Sequence, residues 1–175
     1  MRALNGRLPD DCLIVNAEPV DDSFDPTRDT VSKGYSYTIH ASRERALWDR
    51  RYVHQIWEPI DIAAMQQAAA YLVGEHDFAS FAATGHGRLS TVRTVFSCEV
   101  IPITQDRIRI EVSGNGFLWN MVRIIAGTLA NVGKGRTKPG DIPAILAAGN
   151  RRAAGPTLPP TGLCLEWICF ATTQT

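Results

Sequence analysis

The feature that most constrains this chain is a long apolar segment with a single charge near its centre. The segment "FLWNMVRIIAGTLANV" runs from Phe117 to Val132, and its hydrophobic side chains occupy all sides of a helix. Such a helix is normally buried, and a buried charge is costly unless it is paired. The charge is Arg123. Either its side chain extends out of the core to solvent, or its guanidinium is held in position to face a carboxylate or a phosphate.

Composition narrows the class of protein. The chain has 175 residues, of which 45% are hydrophobic and 21% charged, and its net charge is zero. A neutral chain is unsuited to coating nucleic acid through charge alone. The 15 arginines against three lysines favour contacts with phosphate or carboxylate, although an arginine-rich proteome would give the same ratio.

The sequence predicts no membrane contact and no bound metal. No apolar run reaches spanning length, and the first residues lack the apolar core of a secretory signal, so we expect a cytoplasmic protein. No histidine, His86 included, pairs with a carboxylate at ligand spacing. The cysteines also lack metal-ligand spacing, and we expect free, mostly buried thiols. They are Cys12, Cys98, Cys164 and Cys169.

The periodicity predicts an α+β fold, with a mixed or antiparallel sheet and helices packed on one face. Asp61 is predicted to cap the helix that follows it, and Gly74 to end that helix. Asp141 is predicted to cap a shorter helix that follows it. The predicted strands cover residues 12–20, 33–40, 91–103, 107–112 and 163–170.

Tyr35 and Tyr37 lie on the same face of one predicted strand. Two aromatic core residues would satisfy this pattern. Alternatively, one ring packs inward while the other meets a flat ligand at the rim of the sheet, and aromatic faces near arginines suit an unstacked base.

The segment "FLWNMVRIIAG" matches the pattern F-L-x-x-M-V-R-x-x-x-G. In this helix the chain resembles the tRNA pseudouridine synthase A family. The segments "ALNGRLPDD", "FDPTRDTVSKGYSYTIH", "GEHDFASF", "STVRTV" and "GPTLPPTGLCLEW" resemble other family segments in the same order, over essentially the whole chain.

The resemblance implies conversion of uridine to pseudouridine in the anticodon arm of tRNA, without metal or organic cofactor. In the family an aspartate starts the reaction, a tyrosine stacks on the target base, and an arginine orients the aspartate. By position, Tyr35 matches the stacking tyrosine and Arg123 the orienting arginine. Arg93 is the further residue expected to bind the substrate RNA.

The family's aspartate motif, R-T-D-x-G-V-H, does not occur in the sequence. The nearest string, "TRDT", contains Asp29 but lacks the following glycine and histidine, and it matches another part of the family pattern. We therefore interpret residues 1–175 as a single C-terminal pseudouridine synthase-like domain whose N-terminal half is missing. Arg123 should then lack its carboxylate, and replacing it with methionine should leave stability unchanged or higher.

Three functions follow as hypotheses. The chain is part of a pseudouridine synthase whose other half is supplied separately, or an inactive remnant that still binds RNA through Tyr35, Arg93 and Arg123. Alternatively it is a protein-interaction element, forming a homodimer or pairing with the missing half through exposed apolar surface.

Overall fold

The computed structural model describes residues 1–83, 85 and 89–171. His86 therefore lies outside the described residues. The strands are β1 (Thr30–Ala41), β2 (His54–Ile56), β3 (Gly74–Asp77), β4 (Val92–Thr104), β5 (Arg107–Gly114) and β6 (Leu163–Phe170). The helices are α1 (Arg2–Asn5), α2 (Ile62–Ala70), α3 (Met121–Gly133) and α4 (Ile142–Ala147).

The strands form one mixed sheet, and β1 is its organising element. On one side β1 pairs with β5, and beyond it lie β4 and β3. On the other side β1 is shared, because residues 30–37 pair antiparallel with β6 and residues 39–41 pair parallel with β2. The predicted α+β class with a mixed sheet is confirmed.

The core lies between one face of this sheet and the helices. Buried and partly exposed residues alternate along β5, as expected for a strand with one covered face. Tyr37, Ile39 and Ile110 are completely buried there, together with much of α2 and α3. In α3, 11 of the 13 residues are buried, which confirms the expectation from its apolar sequence.

Several predicted element boundaries are wrong. Residues 12–20, predicted to form a strand, form none, and Leu13 and Val15 are 74% and 80% exposed. No described strand pairs with this segment. The helix α3 begins at Met121 rather than Phe117, because Asn120 has a left-handed backbone with φ of 61°. The strands β2 and β3 were missed because three and four residues are too short to show a period.

Of the three residues predicted to begin or end a helix, only Asp61 has the predicted role. The Asp61 carboxylate caps α2 by accepting a hydrogen bond from the Ala64 N–H at 2.9 Å. Asp141 stands at the start of α4 but does not cap it, since its carboxylate accepts from the Lys138 N–H at 2.9 Å instead. Helix α2 ends at Ala70, and Gly74, with φ of +114°, opens β3 rather than closing the helix.

The prediction of mostly buried thiols is wrong. All four cysteines are free, and Cys98 is buried while Cys12, Cys164 and Cys169 are exposed. The last two lie on β6, an edge strand that leaves most of its side chains uncovered. Among the described residues no group of histidine, cysteine or carboxylate side chains could hold a metal ion. In the same part of the chain no helix is long and apolar enough to cross a bilayer.

A close backbone contact joins α3 to the segment of residues 154–160. A Cβ atom added at Gly127 would lie 1.9 Å from the Pro156 carbonyl oxygen. The Thr128 hydroxyl, which also bonds to the Ile124 carbonyl, accepts from the Gly155 N–H at 2.9 Å. Absence of a side chain at residue 127 therefore lets the segment lie directly against the helix.

Gly127→Ala should lower the free energy of unfolding by about 3 kcal/mol, at the upper end of the cost of overpacking a core. The added methyl group meets a backbone carbonyl that cannot rotate away. Urea denaturation would measure the change.

Gly140→Ala is the matched control, because a Cβ atom there meets nothing within 4 Å. Its unfolding midpoint should stay close to that of the wild type. Equal midpoints for the two variants would contradict the packing inferred around residue 127.

Candidate functional site

An open cavity of about 440 Å³ lies where α3 begins, between β1 and the start of β6. Its walls combine aromatic and aliphatic side chains with one amide and one guanidinium. The lining residues are Tyr35, Phe117, Leu118, Trp119, Asn120, Met121, Val122, Arg123, Pro160 and Leu163. The two residues singled out by sequence, Tyr35 and Arg123, thus line the same cavity.

Arg123 is held by two neutral oxygens. Its Nε donates to the Leu158 carbonyl oxygen at 2.6 Å, and one terminal nitrogen donates to the Asn120 side-chain oxygen at 2.9 Å. The Leu158 N–H in turn donates to the Arg123 carbonyl at 3.3 Å. The guanidinium is half-buried, and these two bonds position it at the cavity. Although no described carboxylate is paired with it, neutral oxygens take part of the place that the sequence prediction had left empty.

No described carboxylate forms an ion pair with Arg123. Asp29, the nearest sequence candidate, is ion-paired with Arg28 at 2.7 Å and accepts from the Asp25 N–H at 2.8 Å. These contacts hold the pKa of the Asp29 carboxyl below its usual value, with Arg28 the largest cause. Asp29 stabilises its own turn and does not line the cavity.

Asn120 explains how the guanidinium is fixed. Asparagine tolerates the left-handed conformation that ends the preceding turn, and Met121 N–H closes that turn on the Leu118 carbonyl at 3.0 Å. The Asn120 side chain does not cap α3, and its oxygen accepts from Arg123, three residues on. The first N–H groups of a helix lack partners within the helix, so helix and guanidinium together make this wall electropositive.

The two tyrosines of β1 differ in burial, with Tyr37 inside and Tyr35 at the rim of the cavity, which is one of the two arrangements that the sequence left open. Tyr37 is fully buried, and its hydroxyl donates to the Pro159 carbonyl at 2.7 Å. Burial raises its pKa, an effect that the charge of Arg123 partly offsets. Tyr35 is half-buried and packs edge-on against Phe117, with ring centroids 5.2 Å apart. Burial also raises the pKa of Tyr35, so the phenol stays neutral.

Arg93 lies beside this cavity rather than in it. It lines a neighbouring cavity of about 320 Å³ together with Lys33, Thr27, Thr30, Val92, Asn115, Gly116 and Phe117. Its guanidinium donates to the Ser90 and Val92 carbonyls at 3.1 and 2.6 Å. Phe117 lines both cavities, so one ring separates Arg93 from Tyr35.

The partners that position Arg123 were not predicted from the sequence. The spacing of three residues between Asn120 and Arg123 is a recognisable helical contact distance. The Leu158 carbonyl gave no such signal, because it is 35 residues away and any residue type supplies a backbone oxygen. The sequence also did not point to Lys33 or Leu163 as cavity-lining residues, although both lie in segments that resemble family segments.

Comparison with known proteins identifies relatives of the chain. The family model for tRNA pseudouridine synthase matches residues 68–171. A protein of Geotalea uraniireducens, tRNA pseudouridine synthase A, is 46% identical over 95% of the chain and 68% of its own length. Proteins of Thermoanaerobacter sp. (44% identical) and Clostridium perfringens (40%; tRNA pseudouridine synthase A 2) each match 96% of the chain. The chain spans 68% of the length of both.

Arg123→Met should lower the free energy of unfolding by about 1–3 kcal/mol, the cost of leaving a buried hydrogen-bonding group without its partner. The change leaves the Leu158 carbonyl and the Asn120 amide oxygen without their donor. This reverses the prediction made from sequence, which assumed that the guanidinium had no partner. Chemical denaturation would measure the loss.

Asn120→Gly provides the comparison. Glycine keeps the left-handed backbone and removes one of the two hydrogen bonds of Arg123. Asn120→Gly should therefore lower the free energy of unfolding by less than Arg123→Met does. A methionine variant as stable as the wild type would show that these hydrogen bonds contribute nothing net.

Proposed function

Because the chain belongs to the tRNA pseudouridine synthase family, we propose that it forms the base-binding part of an enzyme that converts uridine in tRNA to pseudouridine. The observation that carries the proposal is the shared cavity, where Tyr35 and a positioned Arg123 meet. In this reaction the N–C glycosidic bond of uridine breaks, the base turns, and its C5 atom is joined to the ribose.

The guanidinium of Arg123 has capacity for an acidic partner in addition to its two neutral ones. A guanidinium carries five N–H donors, and Leu158 and Asn120 occupy two of them. The remaining donors suit a carboxylate, which accepts two parallel N–H bonds. We assign Arg123 the role of orienting the aspartate that starts the reaction, with that carboxylate supplied from outside the described residues.

Tyr35 is suited to stack on the target base. Its ring lines the cavity and is braced from one side by the edge contact with Phe117. A flat uracil gains from contact with an aromatic face whatever its hydrogen bonding. The buried Tyr37 keeps the strand fixed beneath it, since its hydroxyl is bonded to the loop that also holds Arg123.

The neighbouring cavity is suited to a phosphate of the same RNA. Lys33 and Arg93 bring two positive charges to it, and Thr27 and Thr30 bring hydroxyl groups. Backbone phosphates are bound by these residue types. We assign Arg93 to substrate binding through this contact rather than through the base, with the anticodon arm of tRNA as the substrate region.

The carboxylate-bearing segment has a suitable place beside the free edge of β6. Leu165 is opposite Tyr35 in register, and Leu165 and Trp167 remain 46% and 43% exposed. Among described strands, β6 pairs with β1 alone. A strand added to this edge would lie about 10 Å from Tyr35, two strand spacings away. A second copy of the chain is the competing occupant of this edge.

The alternative function is an inactive RNA-binding remnant. The absence of a carboxylate at Arg123 within the described residues favours this reading if no second polypeptide supplies one. The two functions differ in turnover rather than in binding.

A complementation assay separates them. The 175-residue chain is incubated with transcribed tRNA, alone and with the part of the Geotalea uraniireducens relative that the chain does not match. We expect no pseudouridine from the chain alone and measurable pseudouridine from the mixture, detected by mass spectrometry of the digested RNA. No product from a mixture of two folded partners would support the remnant instead.

Variants of Tyr35 test the base contact. In the complemented system Tyr35→Leu should reduce turnover by about tenfold or more, the loss expected from one stacking contact. Tyr35→Phe keeps the ring and should lose much less. Turnover by the chain alone that Asp29→Ala abolishes would overturn both the proposal and our reading of Asp29.

A further inference from the structure

The connection between β1 and β2, together with the residue that follows β2, exposes a group of aromatic side chains. Trp48, Tyr52 and Trp57 are 97%, 70% and 49% exposed. Trp48 and Trp57, together with neighbouring residues, surround a cavity of about 510 Å³, separate from the two described above. Its lining residues are Arg45, Ala46, Leu47, Trp48, Arg50, Val53, Gln55 and Trp57. Exposed apolar patches of this kind mark interaction surfaces.

Positive charge surrounds these aromatics. Four exposed arginines lie within nine residues, namely Arg43, Arg45, Arg50 and Arg51. None of them forms an ion pair with a described carboxylate. The same stretch contains two carboxylates, Glu44 and Asp49, and Asp49 is already ion-paired with Arg107.

The loop is held in a defined shape. The Gln55 side chain donates to the Ser42 carbonyl at 2.7 Å and accepts from the Ala46 N–H at 3.3 Å. Arg50 donates to the Leu47 carbonyl at 2.8 Å. We call residues 42–57 the arginine–tryptophan loop. Because these hydrogen bonds fix its geometry, less conformational entropy is lost when a ligand binds.

We propose that the arginine–tryptophan loop is a second RNA-binding surface, which holds unpaired nucleotides outside the base-binding cavity. Its arginines contact phosphates, and Trp48 stacks on an unpaired base. Stacking on aromatic rings beside a cationic groove is the common mode of binding single-stranded RNA. The identity of the ligand as RNA rests on the function proposed above, whereas the surface itself rests on these residues.

Charge favours RNA over a second copy of the chain as the occupant. A two-fold interface places the same patch on both partners, which would bring the unpaired arginines of one copy against those of the other. Like charges facing each other oppose association. A polyanion has the opposite charge and brings its own flat bases to the exposed rings.

The position of the loop fits one RNA that reaches both sites. Tyr35 and Ala41 are six residues apart on β1, which is about 20 Å along an extended strand. That span is shorter than one turn of a nucleic-acid duplex, about 34 Å in B-form DNA. An RNA with one base at Tyr35 could therefore place other nucleotides at the loop.

Fluorescence anisotropy with a labelled oligouridine, read across about 50–200 mM salt, tests the proposal on the full chain. The triple variant Arg43→Gln, Arg45→Gln, Arg50→Gln should bind about tenfold more weakly. The slope of its log affinity against log salt concentration should be less negative by about 2, because each of the three lost phosphate contacts on a single strand contributes about 0.7 to that slope. Trp48→Ala should also weaken binding by about tenfold, and Trp48→Phe by less.

Arg152→Gln is the control, because Arg152 is an exposed arginine elsewhere on the surface and should leave affinity unchanged. Binding that responds to Tyr35→Leu but not to the loop variants would overturn this inference and leave the proposed function standing. Absence of any RNA binding by the wild type would overturn both. A concentration-dependent dimer in sedimentation that Trp48→Ala abolishes, with RNA affinity unchanged, would assign the loop to a second copy instead.

Discussion

The hydrogen bond from Arg123 to the Leu158 carbonyl is the contact on which the candidate site depends. It joins the first turn of α3 to a segment 35 residues later in the chain. The same segment is bonded to β1 through the Tyr37 hydroxyl and the Pro159 carbonyl. Helix, strand and loop are thus held together by two adjacent backbone oxygens, and the cavity is the space left where the three meet.

This arrangement also resolves how a charge can sit on an apolar helix. The guanidinium is neither fully exposed nor buried without partners, because neutral oxygens satisfy part of its donor capacity and leave the rest facing the cavity. A carbonyl and an amide orient the cation without cancelling its charge. The cavity therefore keeps a positive wall that can receive an anionic group, which is what an arginine with an orienting role requires.

The sheet explains why the site is open on one side. The strand β1 is covered along one edge by β5, while its other edge is divided between β6 and the short β2. The outer strand β6 keeps apolar side chains exposed. Exposed strand edges are pairing surfaces, and this one belongs to the strand that pairs with β1 at Tyr35.

Sequence determined the features that depend on local periodicity and residue chemistry. The apolar pattern of α3 predicts its burial, the alternation along β1 separates Tyr35 and Tyr37 from their neighbours, and Asp61 marks the start of α2. Family resemblance pointed to Tyr35 and Arg123, which line the same cavity. Regular patterns of this kind are set by backbone geometry that each segment adopts on its own.

Only the tertiary structure decided the contacts between distant segments. It gave Arg123 a carbonyl partner that no residue type could signal, and it moved Arg93 into a neighbouring cavity behind Phe117. It also left residues 12–20 without a partner strand, and it left Cys164 and Cys169 exposed on an edge. Each outcome depends on which segments pack together, and a backbone oxygen, an edge or a cavity wall has no local sequence pattern to reveal it.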